Sequence, residues 1–270
     1  MENFSEKKVA IVFKPQISEA QKVLDALEKI LAVKKISYES FSIDCPKHGF
    51  DFVFVIGGDG TLLRAARFFA KEKTPVFGFN LGKLGFLAQS KVSELEKTVK
   101  KILNYEFKTE DRLMLVSNND ILALNEFVIR GTSATKTSRF CLSINDKFVC
   151  EYLADGLIIS TPTGSTAYGL SAGGAILHPE IEAISIVPIC PHTLTARPLI
   201  IPANEMIKVS TCDVNPNLTI ISDGQGTFDN ITEIKIQKCN FKAKLAFLEE
   251  NDFYSVLREK LQWGVAPKST

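Results

Sequence analysis

The rhythm of apolar and polar positions changes near Arg112. Before it, Val9-Ala10-Ile11-Val12-Phe13, Phe52-Val53-Phe54-Val55-Ile56 and Val76-Phe77-Gly78-Phe79 are short unbroken apolar runs, the pattern of strands buried on both faces of a parallel sheet. Between them, Ile17, Ala20, Val23, Leu24, Leu27, Ile30 and Leu31 recur every three or four residues, which places them on one face of a helix. Ser18 and Gln21 have the spacing of a capping box there, and Ser93 and Glu96 repeat it before a helix to about Leu103. Ile36–Ser42 alternates as a strand, and Leu62–Ala70 reads as the helix after Phe52–Ile56. Strands alternating with helices predict an α/β domain with a mostly parallel sheet.

After Arg112 the period falls to two. Leu113–Ser117, Ile121–Ile129, Phe140–Ile144, Lys147–Tyr152, Leu157–Ser160, Ile184–Cys190, Leu199–Ile201, Met206–Ser210, Leu218–Ser222, Ile231–Gln237 and Phe241–Phe247 are strand candidates, with Asn145-Asp146 as a tight turn. So many short strands predict two packed sheets. The expected organisation is an α/β domain over 1–105, a β-rich, sandwich-like domain over 106–250, and a helix over 251–263 (Phe253, Val256, Leu257, Leu261) that packs back on the first domain. The tail Gly264–Thr270 is expected to be loose.

Composition narrows the partners. Of 270 residues 45% are apolar, enough for a real core, and 32 basic against 31 acidic residues leave a formal charge of +1. That balance lacks the basic surplus of nucleic-acid or anionic-membrane binders, so neither is an expected partner. Runs such as Ala183–Cys190 fall short of the ~20 residues that cross a bilayer. The mixed-charge start Met1-Glu2-Asn3-Phe4-Ser5-Glu6-Lys7-Lys8 does not read as a secretory leader. The six cysteines never form Cys-x-x-Cys, and His48, His178 and His192 are dispersed. Reduced thiols, no chain-built metal site and a cytoplasmic location are the expectations.

The sharpest chemical feature is Ile56-Gly57-Gly58-Asp59-Gly60-Thr61, where an apolar strand delivers three glycines and a carboxylate into the start of a helix. Glycine lets phosphate approach the backbone, a helix start offers N–H groups and partial positive charge, and Asp59 can accept a proton or engage a metal ion. The bland alternative is a glycine turn with a solvated aspartate. Neither Gly-x-x-x-x-Gly-Lys-Ser/Thr nor Gly-x-Gly-x-x-Gly after a strand occurs, which removes the P-loop and ordinary Rossmann readings.

A second dense stretch runs from Asp155-Gly156 through Thr163-Gly164-Ser165-Thr166-Ala167-Tyr168-Gly169-Leu170-Ser171 to Gly174. It offers many donors with little bulk and one aromatic, which suits a polar ligand; the alternative is a long surface loop. Gly169-Leu170-Ser171-Ala172-Gly173 imitates a nucleophile elbow, but its strand ends about Ser160 and the last histidine is His192. Asn125-Glu126 interrupts an apolar strand and either holds ligand hydroxyls or faces water at a strand edge. Asn80–Leu87 sits where open α/β sheets bind ligands, and Pro191–Pro198 could place His192 or Arg197 near a site; with no partner identifiable both read as structural by default, and Asp223-Gly224-Gln225 reads as a simple turn between two strands.

These segments together, in order from about 50 to 225 and including Pro188-Ile189-Cys190-Pro191-His192, resemble the NAD kinases. The glycine–aspartate turn alone is shared with diacylglycerol and sphingosine kinases and phosphofructokinases; the serine-threonine-glycine stretch and the Cys-Pro-His segment narrow the match. The resemblance implies an α/β domain and a β-rich domain, and transfer of the ATP γ-phosphate to the 2′-hydroxyl of the adenosine ribose of NAD. Mg²⁺ is expected to arrive with ATP, some members use polyphosphate, and homodimers or homotetramers are usual. By motif, Asp59 would be the general base, with Gly57, Gly58, Gly60 and Arg64 at the ligand. Asn125 and Glu126 would hold the ribose and adenine side, and Asp155 the nicotinamide end. Ser165, Thr166, Ala167, Tyr168, Gly169, Leu170 and Ser171 would line the dinucleotide, and Gln225 would touch it late in the chain. Gly169 and Ala175 stand where relatives commonly have Ser and Pro, and Leu153 and Lys136 occupy variable positions. A lipid kinase built on the same turn and a non-catalytic nucleotide sensor are the competing readings.

Overall fold

The computed structural model describes residues 4–82, 85–87, 90–132, 137–211, 217–248 and 252–262. Lys83 and Leu84 of the Asn80–Leu87 stretch, Lys136, residues 251 and 263 of the expected last helix, and the tail from Gly264 lie outside these residues. The described chain divides into two compact units, one built from 4–111 and 243–262, the other from 112–242.

In the first unit β1 (Lys8–Phe13), α1 (Ser18–Val33), β2 (Ser37–Ser42), β3 (Phe52–Ile56), α2 (Asp59–Phe69), β4 (Val76–Asn80), β5 (Ser90–Lys91), α3 (Leu95–Leu103) and β6 (Phe107–Arg112) follow in turn. The sheet runs β2-β1-β3-β4, then a late strand Ala243–Leu248, then β6, with β5 beside β4. The β1–β2, β1–β3, β3–β4, β4–β5 and β4–late-strand pairs are parallel. Every position of β3 and β4 is buried, because side chains alternate between two covered faces. Phe52, Phe54 and Ile56 pack with Leu24, Leu27 and Leu31 of α1 and Val99 and Ile102 of α3, while α2 lies against β3, β4 and the late strand.

In the first unit, three expectations differ from what is found. Neither capping box forms: Ser18 is already the first helical residue behind Ile17, and Ser93 lies in a 3₁₀ turn that leads into α3, with no side-chain cap bond at either helix. The helix expected from Leu62 starts at Asp59, because its first turn is polar and leaves no mark on the apolar period. Phe107–Arg112 and Ala243–Leu248, inside the 106–250 span expected to form the β-rich domain, belong to the first unit's sheet. Their apolar pattern reports burial, not which sheet they join.

The second unit holds β7 (Leu115–Ser117), β8 (Leu122–Ala123), β9 (Glu126–Gly131), β10 (Ser138–Ile144), β11 (Lys147–Ala154), β12 (Gly156–Ser160), α4 (Tyr168–Ser171), β13 (Ala183–Ile189), β14 (Leu199–Pro202), β15 (Ile207–Thr211), β16 (Leu218–Ser222), β17 (Gly226–Ile231) and β18 (Glu233–Lys238). One six-stranded sheet runs β11-β10-β15-β18-β7-β8, the other β14-β13-β12-β9-β16-β17. Their pairings are antiparallel. Phe140, Leu142, Val209 and Ile236 of the first pack against Phe127, Ile129, Leu157, Ile159, Ile186 and Ile220 of the second, which makes a sandwich. Val128, Ile158, Val187 and Ile189 form a second cluster, covered by Tyr168 and Ala172. The run expected as one strand, Ile121–Ile129, instead breaks at Leu124-Asn125, where the chain leaves β8 in one sheet for β9 in the other. Likewise Ile231–Gln237 is shared between β17 and β18. The late strand is thus β19, followed by α5 (Phe253–Leu261), whose start Asp252 caps by accepting N–H bonds from Tyr254 and Ser255 at 2.9 and 3.2 Å.

Candidate functional site

The glycine–aspartate turn lies at the carboxyl end of β3. Gly58 is the N-cap of α2, without a side-chain bond, and Asp59 is its first residue. None of Gly57, Gly58 and Gly60 adopts a positive φ, so conformational freedom is not the reason for glycine here. Space is: a Cβ on Gly57 would come within 2.6 Å of Thr61 Oγ1, whereas Gly58 opens onto nothing within 4 Å.

Asp59 is half-buried, and the loop after β4 holds its carboxylate. Phe86 N–H donates to Oδ2 at 2.8 Å and Leu87 N–H to Oδ1 at 3.3 Å. Gly85 makes this possible, since a Cβ there would fall 1.8 Å from Asp59 Oδ1. The Asn80–Leu87 stretch therefore meets the turn, and Asn80 stabilises its entry by accepting from Gly82 N–H at 2.9 Å. Arg64, one turn along α2, pairs with Asp44 at 2.6 Å. The Arg64 guanidinium holds the Asp44 carboxyl below the ordinary carboxylate range. Gly60 and Arg64 are both exposed.

In the second unit the polar pair Asn125-Glu126 sits not at a strand edge facing water but at the corner between the two sheets. Thr161, just past β12, grips this corner: its N–H donates to Asn125 O at 2.9 Å and its Oγ1 to Leu124 O at 2.6 Å. Thr161 Oγ1 also accepts from Gly164 N–H at 3.0 Å. Gly164 lies against the Asn125 backbone so closely that a Cβ would come within 2.2 Å of Asn125 O. That contact gives the Thr-Gly-Ser-Thr stretch its shape, and it continues through a 3₁₀ turn, Thr163–Thr166, into α4.

Ser165 is buried, and its hydroxyl is engaged inside the fold. It donates to Pro162 O at 2.6 Å and accepts from Leu177 N–H at 2.9 Å. Its side chain thus shapes the loop rather than facing outward. Thr166, Ala167, Tyr168 and Leu170 are half-buried, Gly169 is buried and Ser171 is exposed. The Tyr168 hydroxyl accepts from Arg130 at 3.0 Å. Ser171 ends a helical turn, not a strand, so the imitation of a nucleophile elbow fails on geometry. Asp155 and Gln225 are exposed, on the step between β11 and β12 and on the β16–β17 turn.

Glu126 is only 5% exposed. Burial and the charge of Asp223 push its carboxyl up to about 8, against the opposing effect of a hydrogen bond from the Tyr168 N–H. Its Oε2, and Asn125 Oδ1 beside it, are buried acceptors with no hydrogen-bond partner among the described residues. Unpaired buried acceptors are costly, so this pair calls for donors from outside the described residues. Sequence reasoning missed Asp223, which it took for part of a simple turn; its partners lie nearly a hundred residues away. Among the described residues no group of three or more His, Cys, Asp or Glu side chains converges as a metal cage.

A glycine turn closed by a carboxylate at the end of a parallel strand, together with a second unit lined by small polar groups, defines the class: a protein for a phosphate-bearing polar ligand. Residues 19–107 match the family model of the ATP-NAD kinase N-terminal domain, and 124–248 that of the ATP-NAD kinase C-terminal domain. This chain belongs to the NAD kinase family. It is 42% identical over 221 residues to the NAD kinase of Caldanaerobacter subterraneus subsp. tengcongensis, with 78% of each chain covered. It is 36% identical over 239 residues to that of Clostridium botulinum, with 85% of each covered. Among solved structures it resembles an NAD kinase from Archaeoglobus fulgidus in complex with ATP (28% identity, TM-score 0.80, 94% of this chain and 98% of that one). It also resembles a yeast NADH kinase complexed with NADH (25% identity, TM-score 0.86, 98% and 90% covered).

Proposed function

We infer that this chain is an NAD kinase, which transfers the γ-phosphate of ATP to the 2′-hydroxyl of the adenosine ribose of NAD and gives NADP and ADP. The two family matches support the reaction, and the relatives that bind ATP and NADH support the substrate pair. The structural observation that carries the acceptor side is the pair of buried, unpartnered oxygens, Asn125 Oδ1 and Glu126 Oε2, in the wall of the second unit. They take the donors of the bound dinucleotide, its ribose hydroxyls or adenine amino group. Thr166, Ala167, Tyr168, Gly169, Leu170 and Ser171 line it, Ser165 holds that lining in shape, and Asp155 and Gln225 contact it from exposed positions.

Phosphoryl transfer needs positioning and charge neutralisation more than covalent chemistry. Asp59 serves as general base: an oxygen of its carboxylate takes the 2′-hydroxyl proton as the hydroxyl oxygen bonds to the γ-phosphorus, and ADP leaves with the electron pair of the broken P–O bond. The N–H bonds from Phe86 and Leu87 fix the orientation of the carboxylate. The open space over Gly58 and the start of α2 suit a phosphate. Arg64 exchanges Asp44 for a ligand phosphate. A divalent cation arriving with ATP, expected to be Mg²⁺, would supply neutralisation of the phosphate charge. Among the described residues no three His, Cys, Asp or Glu side chains converge, so such a cation would be held mainly by phosphate oxygens.

The same reading makes the protein a cytoplasmic homodimer or homotetramer, with ATP or polyphosphate as donor. No helix among the described residues is long and apolar enough to cross a membrane. The decisive experiment incubates purified protein with Mg-ATP and NAD and follows NADP. NADP formation is expected. Product with a diacylglycerol-like alcohol instead would overturn the reading in favour of a lipid kinase, and nucleotide binding without product in favour of a sensor.

A further inference from the structure

We propose that Asp223 is a positioning residue of the dinucleotide site: it fixes the corner that aims Asn125 and Glu126, and with Glu126 it forms a buried carboxyl pair carrying one proton. The proposal rests on the reading of Asn125 and Glu126 as the NAD-holding pair. Asp223 begins the turn between β16 and β17, where it and Gly224 both have positive φ, 48° and 65°. The ladder pairs Ser222 with Phe127, and its next step sets Asp223 opposite Glu126, with Asp223 N–H donating to Glu126 O at 3.0 Å. From there the side chain, in a residue only 7% exposed, turns back over the corner. Its Oδ2 accepts from Leu124 N–H at 2.9 Å, and its Oδ1 from Asn125 N–H at 2.8 Å and Glu126 N–H at 3.0 Å.

Three consecutive N–H groups aimed at one carboxylate form a nest that favours its ionised state. They are also the N–H groups released where the chain changes sheets, so without Asp223 they would be buried donors lacking an acceptor. Thr161 takes the carbonyls of the same corner, at Leu124 and Asn125. With its backbone satisfied from both sides, the corner holds the Asn125 and Glu126 side chains in place for a ligand.

The charge state follows from who faces Glu126. Across β16 it meets the Asp223 carboxylate. Across β12 it meets Ser160, a neutral residue whose hydroxyl donates to Thr161 O. From α4 it meets the Tyr168 N–H, while the Tyr168 phenol is bonded to Arg130. Two buried carboxylates side by side cannot both ionise at neutral pH, and the one without a nest keeps the proton. Glu126 therefore offers the ligand an O–H donor as well as an acceptor, which suits ribose hydroxyls that can themselves both donate and accept.

The test compares wild type, Asp223→Asn and Glu126→Gln as full chains. NAD affinity is measured by calorimetry from neutral to alkaline pH, and the Glu126 carboxyl is followed in the ligand-free protein by isotope-edited infrared or NMR titration. In wild type, affinity should fall about tenfold or more as Glu126 ionises and places a second anion beside Asp223. That break should be absent in Glu126→Gln. In Asp223→Asn it should move to lower pH, with affinity lowered about tenfold throughout because the nest is weakened. A merely structural Asp223 would lower affinity and leave the break where it is, and that outcome overturns the proposal. So does a wild-type Glu126 carboxyl that titrates in the ordinary glutamate range, a result that does not depend on how Asp223→Asn folds. Failure of NAD to bind at any pH would instead overturn the assignment of Asn125 and Glu126 to NAD.

Discussion

Asp59 and Glu126 sit in opposite surroundings, and their substitutions should differ accordingly. Asp59 is half-buried, with its carboxylate held by two N–H groups, so Asp59→Asn removes the proton acceptor while keeping an oxygen for that loop. Turnover should fall by about 10²–10⁴ with NAD binding largely intact, measured as kcat and as calorimetric affinity. Near-normal turnover would remove Asp59 from the role of base. Glu126 acts on stability. Its carboxyl rises from 4.5 to about 8 in the folded chain, so between those values the unfolded chain binds fewer protons than the folded one. Stability of the ligand-free protein should therefore fall as pH rises through that window and level off above it, by about 5 kcal/mol for the whole shift. Denaturant unfolding across the window should show that slope in wild type and lose it in Glu126→Gln.

At the scale of elements, close backbone approaches shape the candidate site. Gly164 packs against the Asn125 carbonyl, and Gly85 against the Asp59 carboxylate. Gly164→Ala must push the corner away, and should cost about 1–3 kcal/mol of stability and raise the KM for NAD. Unchanged KM with normal melting would show that the corner does not shape the site. The density of hydroxyls and glycines makes the Thr-Gly-Ser-Thr stretch legible as a site from sequence, whereas the part played by each residue depends on these contacts. Ser165 reads in sequence as one more ligand hydroxyl, but Pro162 and Leu177 claim it. Apolar periodicity finds the strands of both units, and it runs Leu122 to Ile129 together because both sides of the break are buried. It also misses the start of α2 at Asp59, whose first turn is polar.

For the whole molecule, the near-zero net charge bears on mechanism. The carboxylates of the proposed site, Asp59, Glu126 and Asp155, outnumber its arginines, and Arg64 is paired with Asp44. On the proposed reading, phosphate is therefore held mainly by backbone N–H groups and a cation, alongside Arg64 once it leaves Asp44. Stripping divalent metal with a chelator should lower turnover at least about a hundredfold, and added Mg²⁺ should restore it; full activity without metal would refute this account. Local facts are written in neighbouring residues: which runs are buried, where β3 breaks into glycine and a carboxylate, and that an α/β part precedes a β-rich one. Side-chain period and turn chemistry act over a few residues, and these features are written at that range. Assembly of the sheets settles the rest: that β19 returns to the first sheet, that the chain changes sheets at Asn125, and that Asp223 lies opposite Glu126. Backbone ladders pair without regard to residue type, so an apolar strand does not name its neighbour. A carboxylate meets N–H groups nearly a hundred positions away only once the sheets have assembled.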